Sequence, residues 1–152
     1  MRLSSFTSQK LVDLSLPAGE KTVVISSMVD LLARSPHVTD RSLFREDVLA
    51  REKLVTTGVG DGVAFPHAKS VAISGVVFAL GRTTGDVDFG ALDGNPVRLI
   101  FMIGAPKAQE PSKVYLNVMA RLSFLMKDRE NRELLLAAGS VDDVFRLLNS
   151  VK

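Results

Sequence analysis

The chain of 152 residues contains no cysteine. Disulfides, thiolate metal sites and cysteine nucleophiles are therefore excluded, and the absence fits a reducing cytosol. Histidine is scarce as well, with only His37 and His67. No histidine-rich metal centre can be assembled from two rings, and no acidic spacing signature offers a carboxylate one. No metal or cofactor is expected. Long hydrophobic runs are missing. The most apolar stretch, Val97 to Pro106, is interrupted by Arg98 and is far too short to span a bilayer. The opening Met1-Arg2-Leu3-Ser4-Ser5-Phe6 lacks the apolar core of a signal peptide, so a cytoplasmic location is expected. Charge of one sign is lacking too: 19 basic against 17 acidic side chains leave a net +2. That balance gives no electrostatic footprint for nucleic acid or an anionic membrane. Internal repeats, low-complexity tracts and long linkers are absent, which predicts a single domain over residues 1–152.

Apolar residues are what the chain has in quantity, 46% of the total against 24% charged, enough for a sizeable core. Val24, Met28, Leu31 and Leu32 recur at helical spacing and predict a helix over 20–34, ended by Ser35-Pro36. A second helix is expected from a Thr39 cap to about Lys53. Gly75 to Gly81 and Val97 to Ala105 are continuous apolar runs, as in strands covered on both faces. Val87-Asp88-Phe89 is a candidate short strand and Asp93-Gly94-Asn95-Pro96 a turn. Ser112 is positioned to cap a helix reaching about Met126, apolar nearly all round and so expected to be well buried. Two short helices close the chain. One runs from near Asp128 to a Gly139 C-cap, and one follows the capping-box sequence Ser140-Val141-Asp142-Asp143. Helices, then strands, then helices imply an α/β (α+β) fold, a three-layer α/β/α sandwich around a mixed sheet. Some connections are too short for parallel crossovers, so the sheet must be partly antiparallel.

Chemistry concentrates in one segment, Arg51-Glu52-Lys53-Leu54-Val55-Thr56-Thr57-Gly58-Val59-Gly60-Asp61-Gly62-Val63-Ala64-Phe65-Pro66-His67-Ala68-Lys69. His67 is a nitrogen nucleophile whose neutral form is well populated near neutrality. Pro66 fixes its own φ and drives Phe65 toward an extended conformation, which stiffens the backbone presenting the ring. Gly58, Gly60 and Gly62 let amide groups approach a ligand closely, as in an anion-binding nest; each taken singly also suits a turn. Thr56 and Thr57 add hydroxyl donors, and Arg51 and Lys69 add positive charge. A phosphoryl group in transit needs a nucleophile, donors and cations around its oxygens, and little else. The glycines are no P-loop, because no Gly-Lys-Ser/Thr follows.

The stretch TTGVGDGVAFPHAK preceded by Arg51-Glu52 resembles the active-site signature of enzyme IIA domains of the fructose–mannitol type, from the phosphoenolpyruvate-dependent phosphotransferase system. The nitrogen-regulatory branch is the nearest in appearance. LSSFTSQKLVDLSLPAGEKTVVISSMVDLLA, GDVDFGALDGNPVRLIFMIGAP and RELLLAAGSVDDVFRLL resemble further family segments in order, so the likeness covers nearly the whole chain. It implies that His67 accepts phosphate from an HPr-like phosphocarrier and passes it to a IIB domain or a regulatory target such as a kinase or transporter. It also implies that Arg51 lies beside the phosphohistidine, that the Thr57 hydroxyl is near the site, that Gly58, Gly60 and Gly62 shape the loop, and that Pro66 precedes the nucleophile. Tyr115 stands where the family usually carries a second histidine. It is a hydrogen-bond donor in a first helical turn or a packing residue along Met119 and Leu122, and it cannot be cationic. Glu52 reads as a surface acid or helix C-terminal neighbour, Lys69 as solvated, and His37 as a surface residue. Three functions remain open: a nitrogen-regulatory phosphocarrier, a sugar-specific IIA component, and a regulatory binding module with weak or no phosphotransfer. A hydrolase with His67 as base lacks a serine elbow, acid pair or metal motif.

Overall fold

The computed structural model describes residues 2–107 and 113–151, with Lys113 described by its backbone alone. In chain order the strands are β1 (Val12–Leu16), β2 (Gly58–Gly60), β3 (Val63–Ala64), β4 (His67–Ser70), β5 (Val77–Val87) and β6 (Val97–Pro106). The helices are α1 (Lys21–Leu32), α2 (Arg41–Leu54), α3 (Lys113–Lys127), α4 (Arg129–Ala137) and α5 (Val141–Asn149). The sheet runs β1-β5-β6-β3-β2, with β4 also on β6. β5 and β6 are antiparallel, as their short link requires, while β1–β5, β3–β6 and β4–β6 are parallel.

The two long apolar runs are indeed strands buried on both faces. Along β6, Ile100 and Met102 pack into one hydrophobic cluster, and Leu99, Phe101 and Ile103 into another. Along β5, Val77 and Ala79 join the first, Phe78 and Leu80 the second. This is the period-two alternation of a pleated strand, with both sides apolar. Helices α1 and α2 supply Ile25, Met28, Phe44 and Val48 to the first cluster. Helices α3, α4 and α5 supply Val118, Leu122, Leu135 and Val144 to the second. The result is a three-layer α/β/α domain with a mixed six-stranded sheet.

Several local expectations need correction. The cap of α2 is Asp40, whose Oδ1 accepts the Leu43 N–H at 3.1 Å; the Thr39 hydroxyl instead donates to the Ala72 carbonyl at 3.0 Å. Val87 is the last residue of β5, and Asp88-Phe89 form no strand. The turn falls at Ala91 to Gly94, two residues early, where Gly94 adopts φ +74° and donates to the Ala91 carbonyl. Helix α3 is not buried all round: Phe124 is 76% exposed, because one flank of the helix has no neighbouring layer. Its expected Ser112 cap lies outside the described residues. Gly139 lies outside the left-handed region, and Ala138 caps α4. In the α5 box the Ser140 hydroxyl accepts the Asp143 N–H at 3.3 Å, and Asp143 reaches back to the Gly139 amide.

Arginines close the helix ends that lack such caps. The Arg82 guanidinium, rising from β5, donates to the Leu14 carbonyl of β1 and to Leu135, Leu136 and Ala138 carbonyls at the end of α4. The last carbonyls of a helix are short of intrahelical donors, and Leu135 has only a long one in the Ala138 N–H at 3.4 Å. Arg82→Met should therefore lower the unfolding free energy by about 2–4 kcal/mol, measured by urea denaturation. A loss below about 0.5 kcal/mol would mean that water satisfies those carbonyls equally well.

Candidate functional site

Proline chemistry places the histidine. β3 and β4 lie in one line along β6: Ala64 pairs with Ile100 and His67 with Ile103, in unbroken register. Pro66 interrupts the ladder because it has no N–H to give, although its carbonyl still accepts from Ile103 at 3.1 Å. Phe65 is buried and stacked on Phe101 at 5.5 Å between ring centroids. Its carbonyl turns to the His67 ring and meets Nδ1 at 2.8 Å. A carbonyl oxygen can only accept, so Nδ1 carries the proton and Nε2 keeps the lone pair.

Two other elements, α3 and α2, and β4 itself bring side chains to this half-buried ring. Tyr115, the third residue of α3, sets its ring 6.0 Å from the imidazole at a 54° tilt. Lys69 of β4 holds Nζ 5.6 Å from the Tyr115 centroid. Arg51, in the last turn of α2, donates to the Val55 carbonyl at 3.2 Å, and its charge is felt by both His67 and Tyr115. Burial lowers the His67 pKa from its ordinary 6.5. The Phe65 hydrogen bond opposes the fall, Arg51 adds to it, and Glu52 opposes it. Burial also pushes the Tyr115 phenol up to about 12, so the hydroxyl remains a donor at neutral pH. Tyr115 is both a packing residue, 6% exposed, and a neighbour of the imidazole.

Other sequence candidates have different roles. Gly60, Asp61 and Gly62 take φ values of +107°, +59° and +77° and make the tight turn between β2 and β3. The Gly62 carbonyl accepts from Leu99, four residues along β6 from the partner of His67. That is roughly 13 Å at about 3.3 Å per residue, so the amides of this turn do not form a nest around the ring. Gly58 is required for close approach, since a Cβ there would sit 2.9 Å from that of Ala91. The hydroxyl protons of the threonines are engaged elsewhere: Thr57 donates to Glu52 at 2.6 Å and Thr56 to the Phe89 carbonyl at 2.8 Å. Neither is left as a donor for a ligand.

Glu52 is not a surface acid. It is 8% exposed, accepts both the N–H and hydroxyl of Thr57, and pairs with Lys21 at 2.8 Å. The sequence carried no signal for this pair, because a separation of 31 positions matches no local periodicity. Lys69 is not merely solvated, since it lies over Tyr115. His37 is exposed, as expected, and meets the Ser74 hydroxyl at 3.0 Å through Nδ1. Among the described residues there is no cluster of metal-ligating side chains and no helix long and apolar enough to cross a membrane.

Residues 5–151 match the family model described as phosphoenolpyruvate-dependent sugar phosphotransferase system, EIIA 2. The chain belongs to that family. A fructose-specific EIIA component of Haloferax volcanii is 35% identical over 149 residues, 98% of this chain and 96% of that protein. A fructose-specific EIIABC component of Bacillus subtilis is 34% identical over 98% of the chain, which spans only 23% of that longer protein. The crystal structure of nitrogen regulatory protein IIA-Ntr from Neisseria meningitidis superposes with a TM-score of 0.89 at 29% identity, covering 96% of this chain and 98% of that one. Proteins of the EIIA 2 family are phosphoryl-transfer components, and the mixed sheet with helices on both faces is their fold.

The His67 environment sets a sign for its pH dependence. A depressed folded pKa means that the unfolded chain binds the proton more readily, so this contribution to stability is fully present above 6.5. It is lost as pH falls through the lower folded midpoint. NMR titration of His67 should give a midpoint below 6.5 with Nδ1 protonated in the neutral form. A midpoint above 6.5, or a neutral ring protonated at Nε2, contradicts this geometry.

Proposed function

We propose that His67 is the phosphoryl acceptor of this EIIA 2 family member and that Nε2 is the reacting atom. The observation carrying the proposal is the 2.8 Å contact between Nδ1 and the Phe65 carbonyl, which leaves Nε2 unprotonated and free of that bond. An HPr-like carrier presents a phosphohistidine in line with the ring. The Nε2 lone pair forms the new P–N bond as the donor's P–N bond breaks, and the donor imidazole retains the released electron pair. No proton has to leave His67. The Nδ1–H stays against the Phe65 carbonyl, which favours the positive charge the ring then acquires. Arg51, Lys69 and the Tyr115 hydroxyl supply charge and a donor for the phosphoryl oxygens. The N-terminal turn of α3 favours an anion at the same place.

The rim favours a protein as donor and acceptor. Leu54 is 80% exposed and Val55 and Leu116 are also exposed, directly following Arg51's turn and Tyr115 in the chain. Apolar residues around a charged centre suit a modest, transient interface. The acceptor is a IIB domain or a regulatory target such as a kinase or transporter, and the setting is the cytoplasm. The nitrogen-regulatory reading is supported by the likeness to the Neisseria meningitidis protein over 96% of the chain. The fructose-type identity of 35% favours a second reading as a sugar-specific component.

Incubation with a phosphorylated HPr-like donor should add one phosphoryl group by intact mass, and His67→Ala should remove it. A mutant labelled like the wild type would move the nucleophile elsewhere. Arg51→Gln should slow acceptance roughly 100-fold, the usual scale for losing a charged transition-state donor. Tyr115→Phe keeps the packing and should slow it about tenfold if its hydroxyl serves the phosphoryl oxygens; an unchanged rate would assign Tyr115 to packing alone. Rapid discharge onto a fructose-type IIB domain selects the sugar reading, and a retained label the nitrogen-regulatory one.

A further inference from the structure

Glu52 is a buried carboxylate to which the transfer step above gives no task. With Lys21 it forms an ion pair in which each partner opposes its own helix. Lys21 is the first residue of α1, where the positive end of the helix dipole disfavours a cation. Glu52 lies in the last turn of α2, where the negative end disfavours an anion. Desolvation of the carboxylate is a further cost. Neither helix gains from these charges in place, so the benefit has to lie in what the pair holds.

What it holds is the segment leading to His67. Glu52 Oε1 accepts the Thr57 hydroxyl at 2.6 Å, and Oε2 accepts the Thr57 N–H at 2.8 Å. The Thr57 carbonyl takes the Phe65 N–H at 3.0 Å, and the Phe65 carbonyl takes the His67 Nδ1–H at 2.8 Å. The series therefore runs from carboxylate to imidazole through two backbone units. Lys21 braces the other side, with Nζ 2.8 Å from Glu52 Oε2 and 2.8 Å from the Phe89 carbonyl, above the Phe89 ring. That carbonyl also receives the Thr56 hydroxyl, so both threonines are fixed from the same pair of anchors.

We infer that the Lys21–Glu52 pair is a positioning device for His67: it clamps Thr57 so that the Phe65 carbonyl stays aimed at Nδ1 and Nε2 stays unprotonated. The inference rests on reading His67 as the phosphoryl acceptor. Glu52 acts through Thr57 and Phe65 and is not itself placed to touch the transferred group. Its charge acts in the same sense, raising the basicity of the ring against burial and Arg51. Among the described residues, the charged and titratable groups set around the ring are Arg51 and Glu52 from α2, Lys69 from β4 and Tyr115 from α3. Lys21 enters as the cation that partly neutralises Glu52.

Opposite substitutions separate this role from a purely structural one. The pKa and tautomer of His67 are measured by nitrogen-15 NMR in unphosphorylated wild type, Glu52→Gln and Lys21→Met, with acceptance rates from a phosphorylated HPr-like donor alongside. Glu52→Gln should lower the His67 midpoint by about 0.5, raise the share of the Nε2–H tautomer and slow acceptance about tenfold without changing the donor KM. Lys21→Met leaves the carboxylate without its cation and should raise the midpoint, while the loosened clamp raises the share of the Nε2–H tautomer as in Glu52→Gln. Opposite midpoints report the Glu52 charge; a common gain of the Nε2–H tautomer reports the clamp, and an unchanged tautomer in either variant overturns the inference. If Glu52→Gln does not fold, Lys21→Met decides: a larger Nε2–H share sustains the inference, and an unchanged one defeats it. The NMR readings need no donor. A wild type that takes no label on His67 therefore defeats the phosphocarrier reading separately from the positioning one.

Discussion

One carbonyl, that of Phe65, governs the site. Pro66 cannot donate to β6, so the ladder lapses for one step between Ala64 and His67 while the register continues. The Phe65 carbonyl of the same peptide points the other way, to the side where the Phe65 N–H meets Thr57, and finds the imidazole of His67 at 2.8 Å. A ring held through Nδ1–H leaves Nε2 unprotonated in its neutral form. The stack of Phe65 on Phe101 seats the same residue in the core, so the carbonyl is carried by a rigid side chain and not by a free loop.

Around that point the electrostatics are balanced in detail. Burial alone disfavours the charged ring, and Arg51 works in the same direction. The Phe65 hydrogen bond and the Glu52 carboxylate work against it. The two opposing charges are consecutive residues on α2, one half-buried and bonded to the Val55 carbonyl, the other buried against Thr57 and Lys21. A helix turns by about 100° per residue, so neighbours in sequence face different surroundings. The fold uses this to place one side chain near the His67 ring and the next in the scaffold behind it.

Membership of the EIIA 2 family agrees with this architecture over residues 5–151. Within that frame the chain has its own features. An uncharged phenol lies beside the imidazole, and a lysine from β4 lies over the phenol. With the hydroxyl protonated up to about 12, Tyr115 can contribute a hydrogen bond but no positive charge at neutral pH. The cationic part of the site falls to Arg51 and Lys69.

Much of this molecule was legible in the order of its residues. The continuous apolar runs of β5 and β6, the helical spacing of Val24, Met28 and Leu31, and the Ser140 box all express local rules, because a strand or helix repeats its environment at a fixed period. Pro66-His67 was legible for the same reason: the restriction on φ is covalent and travels with the residue. Local rules went astray where tertiary contacts compete. Thr39 bonds Ala72 and leaves the cap to Asp40, while the Gly60–Gly62 turn lies some four residues along β6 from where an anion nest would be needed. The Lys21–Glu52–Thr57 clamp, the lysine over Tyr115 and the depressed pKa of His67 had no sequence signature, since they join residues whose separation obeys no periodicity. By itself the sequence determined the layers, the candidate histidine and the stiff backbone before it. Only the folded structure decided which nitrogen is free, which carboxylate is buried and which hydroxyls are already engaged, because burial and hydrogen-bond partners are properties of the packed chain.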